Sequence, residues 1–221
     1  MPAVTMVTLE AGGQTLWLLP ERALFLPESD TLLVADAHVG AGGESLAVLS
    51  ELVRRLEVTR VIFLGDFLHD ARAEPAAMAA VLRWRERHGA LELTLVRSRL
   101  DPRIVDPPAV LDIQAFDEPL MHRGFALCHR PQPIEGAFVL AGHVYPCVSI
   151  GGRAHDWQRL PCYWFSQRFG VLPAFGTFTG MQAIRPGKGE RVFAASADRV
   201  FELLPKPKPP RPLSEVGEAR D

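Results

Sequence analysis

The sequence predicts an α/β fold in which two packed β-sheets are flanked by helices. In the first half of the chain, short apolar runs alternate with segments of helical periodicity, the order that produces parallel strands joined by right-handed crossovers. The second half is rich in strand-like runs that glycine residues interrupt. Polar residues directly follow several of the apolar runs, so carboxylate and imidazole side chains are expected at the ends of strands.

The composition is that of an ordinary globular protein, with 48% apolar residues, 23% charged residues and a formal net charge of −2. Its 221 residues are enough for one domain with a real core. The totals predict no basic face for non-specific nucleic-acid binding. No apolar run reaches the roughly 18 residues of a membrane span, and the start lacks the pattern of a signal peptide. The three cysteines are expected to be buried thiols in a reducing cytoplasm, namely Cys128, Cys147 and Cys162.

The first half alternates strands and helices, and each prediction rests on a local pattern. Two β-rich runs flank the turn Ala11-Gly12-Gly13, which is typical of a β-hairpin. Residues 44–57 repeat leucine and valine at helical spacing, which predicts a first helix. Residues 75–88 predict a second helix, with a proline in its first turn and Gly89 as its stop. The predicted strands of this half lie at 4–9, 14–19, 32–35, 61–64 and 91–96.

The second half continues with two apolar runs, 125–128 and 138–141, each followed by a histidine. The strands predicted beyond them lie at 147–150, 162–165, 181–184, 192–195 and 199–203. Residues 205–221 are rich in proline, lysine and glutamate and poor in large apolar residues, which predicts a disordered tail. The expected organisation is a single domain over 1–204 followed by this tail.

Four of the apolar runs end in groups that bind metal ions. They are Asp36 and His38, then Asp66 with His69 and Asp70, then His129, and finally His143. Positions i and i+2 of an extended segment point to the same side, so Asp36 and His38 can reach one point. Carboxylate oxygen and imidazole nitrogen converging at strand ends form the ligand set of a manganese, iron or zinc site.

This ordered set resembles the calcineurin-like metallophosphoesterases. The chain is more closely similar to the bacterial DNA-ligase-associated metallophosphoesterases, over about residues 16–204. That similarity includes the motifs Leu127-Cys128-His129 and Leu140-Ala141-Gly142-His143 and the stretch 170–180. The resemblance implies a four-layer α/β/β/α sandwich of two mixed sheets flanked by helices. It also implies hydrolysis of a phosphodiester or nucleotide by metal-activated water, with DNA-repair ligases and helicases as partners.

By the same resemblance, the site would hold two metal ions about 3.5 Å apart. Asp36 and His38 would bind the first ion, and Asp66 would bridge both. His129 and His143 would bind the second ion. Manganese is the favoured metal, with iron and zinc as alternatives.

Three positions depart from the family pattern. Arg99 replaces an asparagine ligand, Leu100 replaces a histidine that protonates the leaving group or binds phosphate, and Tyr145 replaces a further histidine ligand. A guanidinium about 4 Å from a divalent cation is repelled by roughly 4 kcal/mol per unit of charge, at an effective dielectric constant near 20. The sequence therefore predicts a reduced or lost second-metal site, holding one ion or none rather than two.

The expected catalytic residues are Asp66, His143 and Arg99, the last because a guanidinium presents donors to a phosphate. His69 and Asp70 are expected either to orient the ligands or to belong to the plain surface. Two functions stay open. One is a metal-dependent phosphoesterase, and the other is a catalytically inactive relative that binds a phosphate ligand or a DNA-repair partner.

Overall fold

The computed structural model describes residues 5–39, 44–68, 75–98, 106–151, 157–176 and 180–204. Its first sheet has seven strands whose spatial order is their order along the chain. They are β1 (Val7–Ala11), β2 (Gln14–Leu18), β3 (Leu24–Leu26), β4 (Thr31–Ala35), β5 (Arg60–Leu64), β6 (Glu92–Arg97) and β7 (Ile113–Asp117). Strands β1 to β4 pair antiparallel, and β4 to β7 pair parallel. The parallel part is the one that the strand–helix–strand pattern predicts.

The second sheet has nine strands and mixes parallel with antiparallel pairs. They are β8 (Leu120–His122), β9 (Phe125–Cys128), β10 (Phe138–Ala141), β11 (Pro146–Gly151), β12 (Trp157–Phe165), β13 (Phe169–Val171), β14 (Gln182–Ala183), β15 (Arg191–Ala195) and β16 (Val200–Glu202). Their spatial order is β14-β11-β12-β13-β10-β9-β8, with β15 paired to β12 and β16 paired to β15. At its centre, β10 runs parallel to both β9 and β13, so β9 and β10 end at the same edge.

Two helices, α1 (Glu44–Leu56) and α2 (Pro75–Arg87), pack against one face of the first sheet. Leucines of α1 and Val81 and Trp84 of α2 join the strand residues of that face in one buried cluster. The indole of Trp84 donates to Ser50 Oγ at 3.0 Å, and Ser50 Oγ lies 2.9 Å from His88 Nε2. This polar contact fixes how the two helices meet.

The opposite face of the first sheet packs against the second sheet. Because side chains alternate along a strand, Leu32 and Val34 face the helices while Leu33 and Ala35 face the other sheet. Burial on both faces explains why the runs before the site residues are apolar without interruption. Two mixed sheets with packed helices confirm the predicted fold class.

The outer face of the second sheet carries a smaller apolar cluster. It contains Ala126, Cys128, Val139 and Ala141, with Ile134, Ala137 and Phe169 packed against them. Both helices of the described residues lie on the other side of the molecule, against the first sheet. All three cysteines are buried and free, as their number and spacing predict.

The predicted elements recur with ends displaced by up to five residues, but four strands are missed, namely β3, β7, β8 and β13. Strand β7 has five residues, and none of them is fully buried. Strands β3, β8 and β13 have three residues each, too few to show an alternating pattern. The tail predicted at 205–221 lies outside the described residues. Within the described chain, neither helix has the length and apolar character needed to cross a membrane.

Candidate metal centre

The first sheet places Asp36 and Asp66 side by side. Both follow parallel strands, β4 and β5, which end at the same edge of the sheet. Main-chain hydrogen bonds continue the pairing beyond the strands, because Asp36 N donates to Leu64 O at 3.2 Å and His38 N donates to Asp66 O at 3.0 Å. The two acidic loops are therefore held in register with each other.

The second sheet brings His129 and His143 to the same place from the opposite side. His129 follows β9 and His143 follows β10, and Gly142 N donates to His129 O at 3.1 Å. His129 Nε2 lies 3.3 Å from Asp36 Oδ1, and the backbone N–H of His143 donates to Asp36 Oδ2 at 2.7 Å. The rings also meet each other, with 3.2 Å between His143 Nδ1 and His129 Nε2. Asp36 is thus the residue on which the two sheets converge.

Three of these residues form a group that fits a metal ion. One ligand atom each from Asp36, Asp66 and His129 lie within 4.8 Å of one another. Asp36 and His129 are fully buried, and among the described residues the 3.3 Å contact with His129 Nε2 is not well enough aligned to give Asp36 Oδ1 a hydrogen bond. A buried carboxylate oxygen without a hydrogen bond is costly, and a bound cation satisfies it. Two carboxylates and one imidazole are a donor set for manganese, iron or zinc.

His38 stands at the edge of this group, beside Tyr145. His38 Nε2 lies 3.9 Å from Asp66 Oδ2 and 3.4 Å from the Tyr145 hydroxyl, and the two rings are stacked with centroids 6.3 Å apart. Tyr145 thus faces the imidazole at the position where the family resemblance implies a histidine ligand. The hydroxyl of Tyr145 and the carboxylate of Asp66 both lie near His38 Nε2. Because Tyr145 has no imidazole, the site offers a cation one nitrogen donor fewer than the family pattern does.

The two histidines of the second sheet have opposite pKa shifts. Burial alone lowers the pKa of the His129 imidazole, but the contact with Asp36 and the charges of Asp36, Asp66 and Glu118 outweigh burial, so this pKa lies above its ordinary value. Burial lowers the pKa of His143, and the nearby charge of His129 adds to that effect. The acidic groups therefore attract positive charge to the position of His129, where a cation would replace the proton.

Four residues of the site have a left-handed backbone that side chains rarely adopt. The φ angles are 45° at Asp36, 42° at His38, 67° at His143 and 52° at Tyr145. Each such residue costs on the order of 1–3 kcal/mol and persists only where its surroundings over-determine it. The close contacts of Asp36 and the paired loops supply that constraint.

Two glycines allow the sheets to approach this closely. A Cβ at Gly65, where φ is 86°, would lie 2.0 Å from His129 Cδ2. A Cβ at Gly142 would lie 2.8 Å from Asp36 Oδ2. These positions require glycine because a backbone, rather than a side chain, touches His129 in one case and Asp36 in the other.

Glu118, which sequence reasoning missed, holds the loop that carries His129. Its Oε2 accepts the backbone N–H groups of His129 at 2.8 Å and of Arg130 at 2.9 Å. Glu118 follows β7 of the first sheet, and its own N–H donates to Arg97 O at 2.9 Å. No local pattern announces this role, because the carboxylate reaches a segment eleven residues further along the chain.

Replacing Glu118 by alanine should weaken manganese binding by roughly tenfold to hundredfold, the usual effect of losing a group that orients a ligand. The change leaves two backbone donors without an acceptor. Glu118→Gln keeps an acceptor oxygen and should lose less. Isothermal titration with Mn²⁺ measures the effect, and the exposed Glu135→Ala change is the control. An alanine variant that binds manganese as tightly as the unchanged protein would contradict this role.

The structure brings five predicted site residues together, namely Asp36, His38, Asp66, His129 and His143. Asp36, Asp66 and His129 form the group that fits one ion. The resemblance instead implies Asp36 on the first ion, His129 on the second, and Asp66 on both. The individual roles stay predictions. His69, Asp70, Arg99 and Leu100 lie outside the described residues.

Comparison with solved structures finds a strong match in the Pseudomonas putida nuclease MPE. The two chains are 42% identical, and the match covers 90% of this chain and 100% of that chain with a TM-score of 0.81. YfcE, a phosphoesterase from E. coli, is 16% identical over 76% of this chain and 88% of that chain. Its TM-score of 0.36 is too low to define a common fold. Neither a protein-family model nor a curated protein matches the chain.

Proposed function

Because the chain belongs to the calcineurin-like metallophosphoesterase family, we propose that it hydrolyses phosphodiester bonds of nucleic acid with the help of a divalent metal ion. The observation that carries the proposal is the convergence of Asp36, Asp66 and His129 at the meeting point of the two sheets. The nuclease named above, to which the matched part of the chain is 42% identical, supports nucleic acid as the substrate class.

The metal ion would be held by Asp36, Asp66 and His129, with manganese favoured and iron or zinc as alternatives. When bound, such an ion polarises phosphoryl oxygens and lowers the pKa of a coordinated water. The chain supplies the geometry: Asp36 is oriented by the N–H of His143, and His129 by Glu118.

Two further residues are proposed to contact the phosphate. The His143 ring lies against His129 at a centroid distance of 4.7 Å and is only half-buried, so it can face a substrate. Arg99, which lies outside the described residues, offers guanidinium donors that match phosphate oxygens. One ion rather than two is proposed, since Arg99 and Tyr145 replace two ligands of the family pattern.

Membership of the DNA-ligase-associated group is the finer part of the proposal. The stretch that carries this resemblance, 170–180, includes residues that lie directly on the site. Phe175 N donates to Ala35 O at 2.8 Å, and Gly176 N approaches Asp36 O at 3.3 Å. As protein partners we propose a repair ligase and a helicase, because the resemblance to this group implies them.

A second function, that of a catalytically inactive binding module, is favoured by one contact. The Tyr145 hydroxyl lies 3.4 Å from His38 Nε2, where the family pattern has a ligand. A phenol binds a divalent ion only as phenolate, which its pKa near 10 disfavours at neutral pH. Such a module would bind a phosphorylated ligand or a repair partner without turnover.

Metal analysis and a two-substrate assay test the proposal. Protein purified without chelator should contain about one divalent ion per chain, and Mn²⁺ should support hydrolysis of bis(4-nitrophenyl) phosphate and of a single-stranded oligonucleotide. EDTA should abolish both activities, and added Mn²⁺ should restore them. Metal uptake with oligonucleotide binding but no turnover would favour the inactive module. Protein that takes up no metal and cleaves neither substrate would overturn the proposed hydrolysis.

A further inference from the structure

Arg22 occupies a strained turn between β2 and β3. Its φ angle of 66° is left-handed, which is uncommon for a residue with a long side chain. The turn is tightly held, since Arg22 N donates to Leu19 O at 3.0 Å and Leu19 N donates to Ala23 O at 3.0 Å. The fully buried hydroxyl of Tyr163 also lies 2.7 Å from Leu19 O and 2.8 Å from Ala23 O. The fold therefore fixes the backbone from which the Arg22 side chain extends.

The guanidinium of Arg22 is a positive charge with little compensation. Its one hydrogen bond within the described residues runs from Nη1 to Gly176 O, at 3.3 Å. The neighbouring acid, Glu21, bonds to Arg55 instead, at 2.8 Å. Burial lowers the pKa of Arg22, yet an arginine in a protein keeps its charge. Within the described residues, most of its five N–H donors thus have no acceptor.

The surroundings of Arg22 connect it to the metal centre. Its side chain lines a cavity of about 350 Å³ whose lining also includes Glu21 and Glu44. On the side of the metal centre it lines a smaller pocket together with Tyr145, and among the described residues the lining of that pocket contains no acidic residue. The peptide it contacts, Gly176, packs on the loop of the site, because a Cβ there would lie 3.0 Å from Ala37 O. Arg22 is therefore one peptide unit away from the segment that carries Asp36.

We infer that Arg22 binds a phosphate group of the nucleic-acid strand that neighbours the phosphate being cleaved. The inference rests on the proposed function and adds a binding residue to it. A fixed guanidinium with unused donors matches phosphate oxygens in charge and geometry. Backbone strain that a rigid turn maintains is typical of residues kept in place for binding.

The test compares variants on a substrate with one phosphate and on a substrate with many. Arg22→Gly removes the side chain and fits the left-handed backbone without strain, while Arg22→Lys keeps the charge but not the fork of donors. Arg168→Ala removes a similar charge from the exposed surface and is the control. The substrates are bis(4-nitrophenyl) phosphate and a single-stranded oligonucleotide, with Mn²⁺ present.

Arg22→Gly should lower kcat/KM for the oligonucleotide by roughly tenfold to hundredfold, mainly through KM, with a loss at least about tenfold smaller on the aryl ester. Oligonucleotide affinity should also depend less on salt, with the slope of log K against log salt reduced by about 0.7, the value for one phosphate contact on a single strand. The kcat/KM of Arg22→Lys for the oligonucleotide should lie between that of Arg22→Gly and that of the unchanged protein. Arg168→Ala should have the same kcat/KM as the unchanged protein. The lysine variant keeps the test valid if the glycine variant does not fold.

Equal losses on both substrates, or an unchanged salt slope, would overturn the role of Arg22. If the unchanged protein cleaves neither substrate, the proposed hydrolysis fails, but the salt slope of oligonucleotide binding still decides the role of Arg22. The two failures are therefore distinguishable.

Discussion

Replacing Asp66 by asparagine should lower metal-dependent hydrolysis by about a thousandfold and should weaken manganese binding strongly. The change removes one of two carboxylates in the three-residue group while keeping the size of the side chain. A metal ion contributes several kcal/mol to the transition state, and each 1.36 kcal/mol is a factor of ten in rate. The Asp66 side chain is 29% exposed and asparagine has nearly the same shape, so the variant should stay folded.

The measurement is kcat on bis(4-nitrophenyl) phosphate at saturating Mn²⁺, combined with titration calorimetry of the metal. Asp198→Asn makes the same chemical change on an exposed turn away from the site and should leave both quantities unchanged. Activity that survives in Asp66→Asn would belong to a contaminant, and hydrolysis by this chain would then have no support.

Replacing Gly65 by alanine should destabilise the protein by about 2–5 kcal/mol and should also disrupt the metal centre. The left-handed backbone at Gly65 costs an alanine about 1–2 kcal/mol. The added methyl would lie 2.0 Å from a ring carbon of His129, which is fully buried and cannot move away. Overpacking of this kind typically costs about 1–3 kcal/mol more.

Gly124→Ala is the matched control for that experiment. Gly124 has nearly the same φ angle, 85° against 86°, but no heavy atom lies within 4 Å of the position its Cβ would take. The free energy of unfolding of Gly124→Ala should therefore fall only by the cost of the left-handed backbone. Thermal unfolding should show a lower Tm for the Gly65 variant, since about 1 kcal/mol corresponds to roughly 2–4 °C in a domain of this size. Equal Tm values would mean that His129 is not held against Gly65.

Much of the fold could be predicted from local patterns because burial on both faces leaves a clear signal. The runs before Asp36 and Asp66 are apolar without interruption, since one set of side chains meets the helices and the other meets the second sheet. The edge strand β8 has three residues and shows no such signal.

Part of the candidate site could be predicted for the same reason. Asp36 and His129 directly follow a buried strand, Asp66 and His143 follow one after a single glycine, and parallel neighbours end at one edge. Glu118 and Arg22 could not be predicted in this way. Each acts through a contact that joins separate segments of the chain. Glu118 binds the backbone of His129, and Arg22 binds the backbone of Gly176.

The sequence by itself determined which side chains stand at strand ends, because the order of apolar runs and polar residues along a chain dictates this. Only the tertiary structure decided which of them lie close enough together to share a cation. That choice depends on how closely two sheets approach at Gly65 and Gly142, and it joins Asp36 of one sheet to His129 of the other at 3.3 Å. Distances between segments remote along the chain arise from packing, which no local pattern encodes.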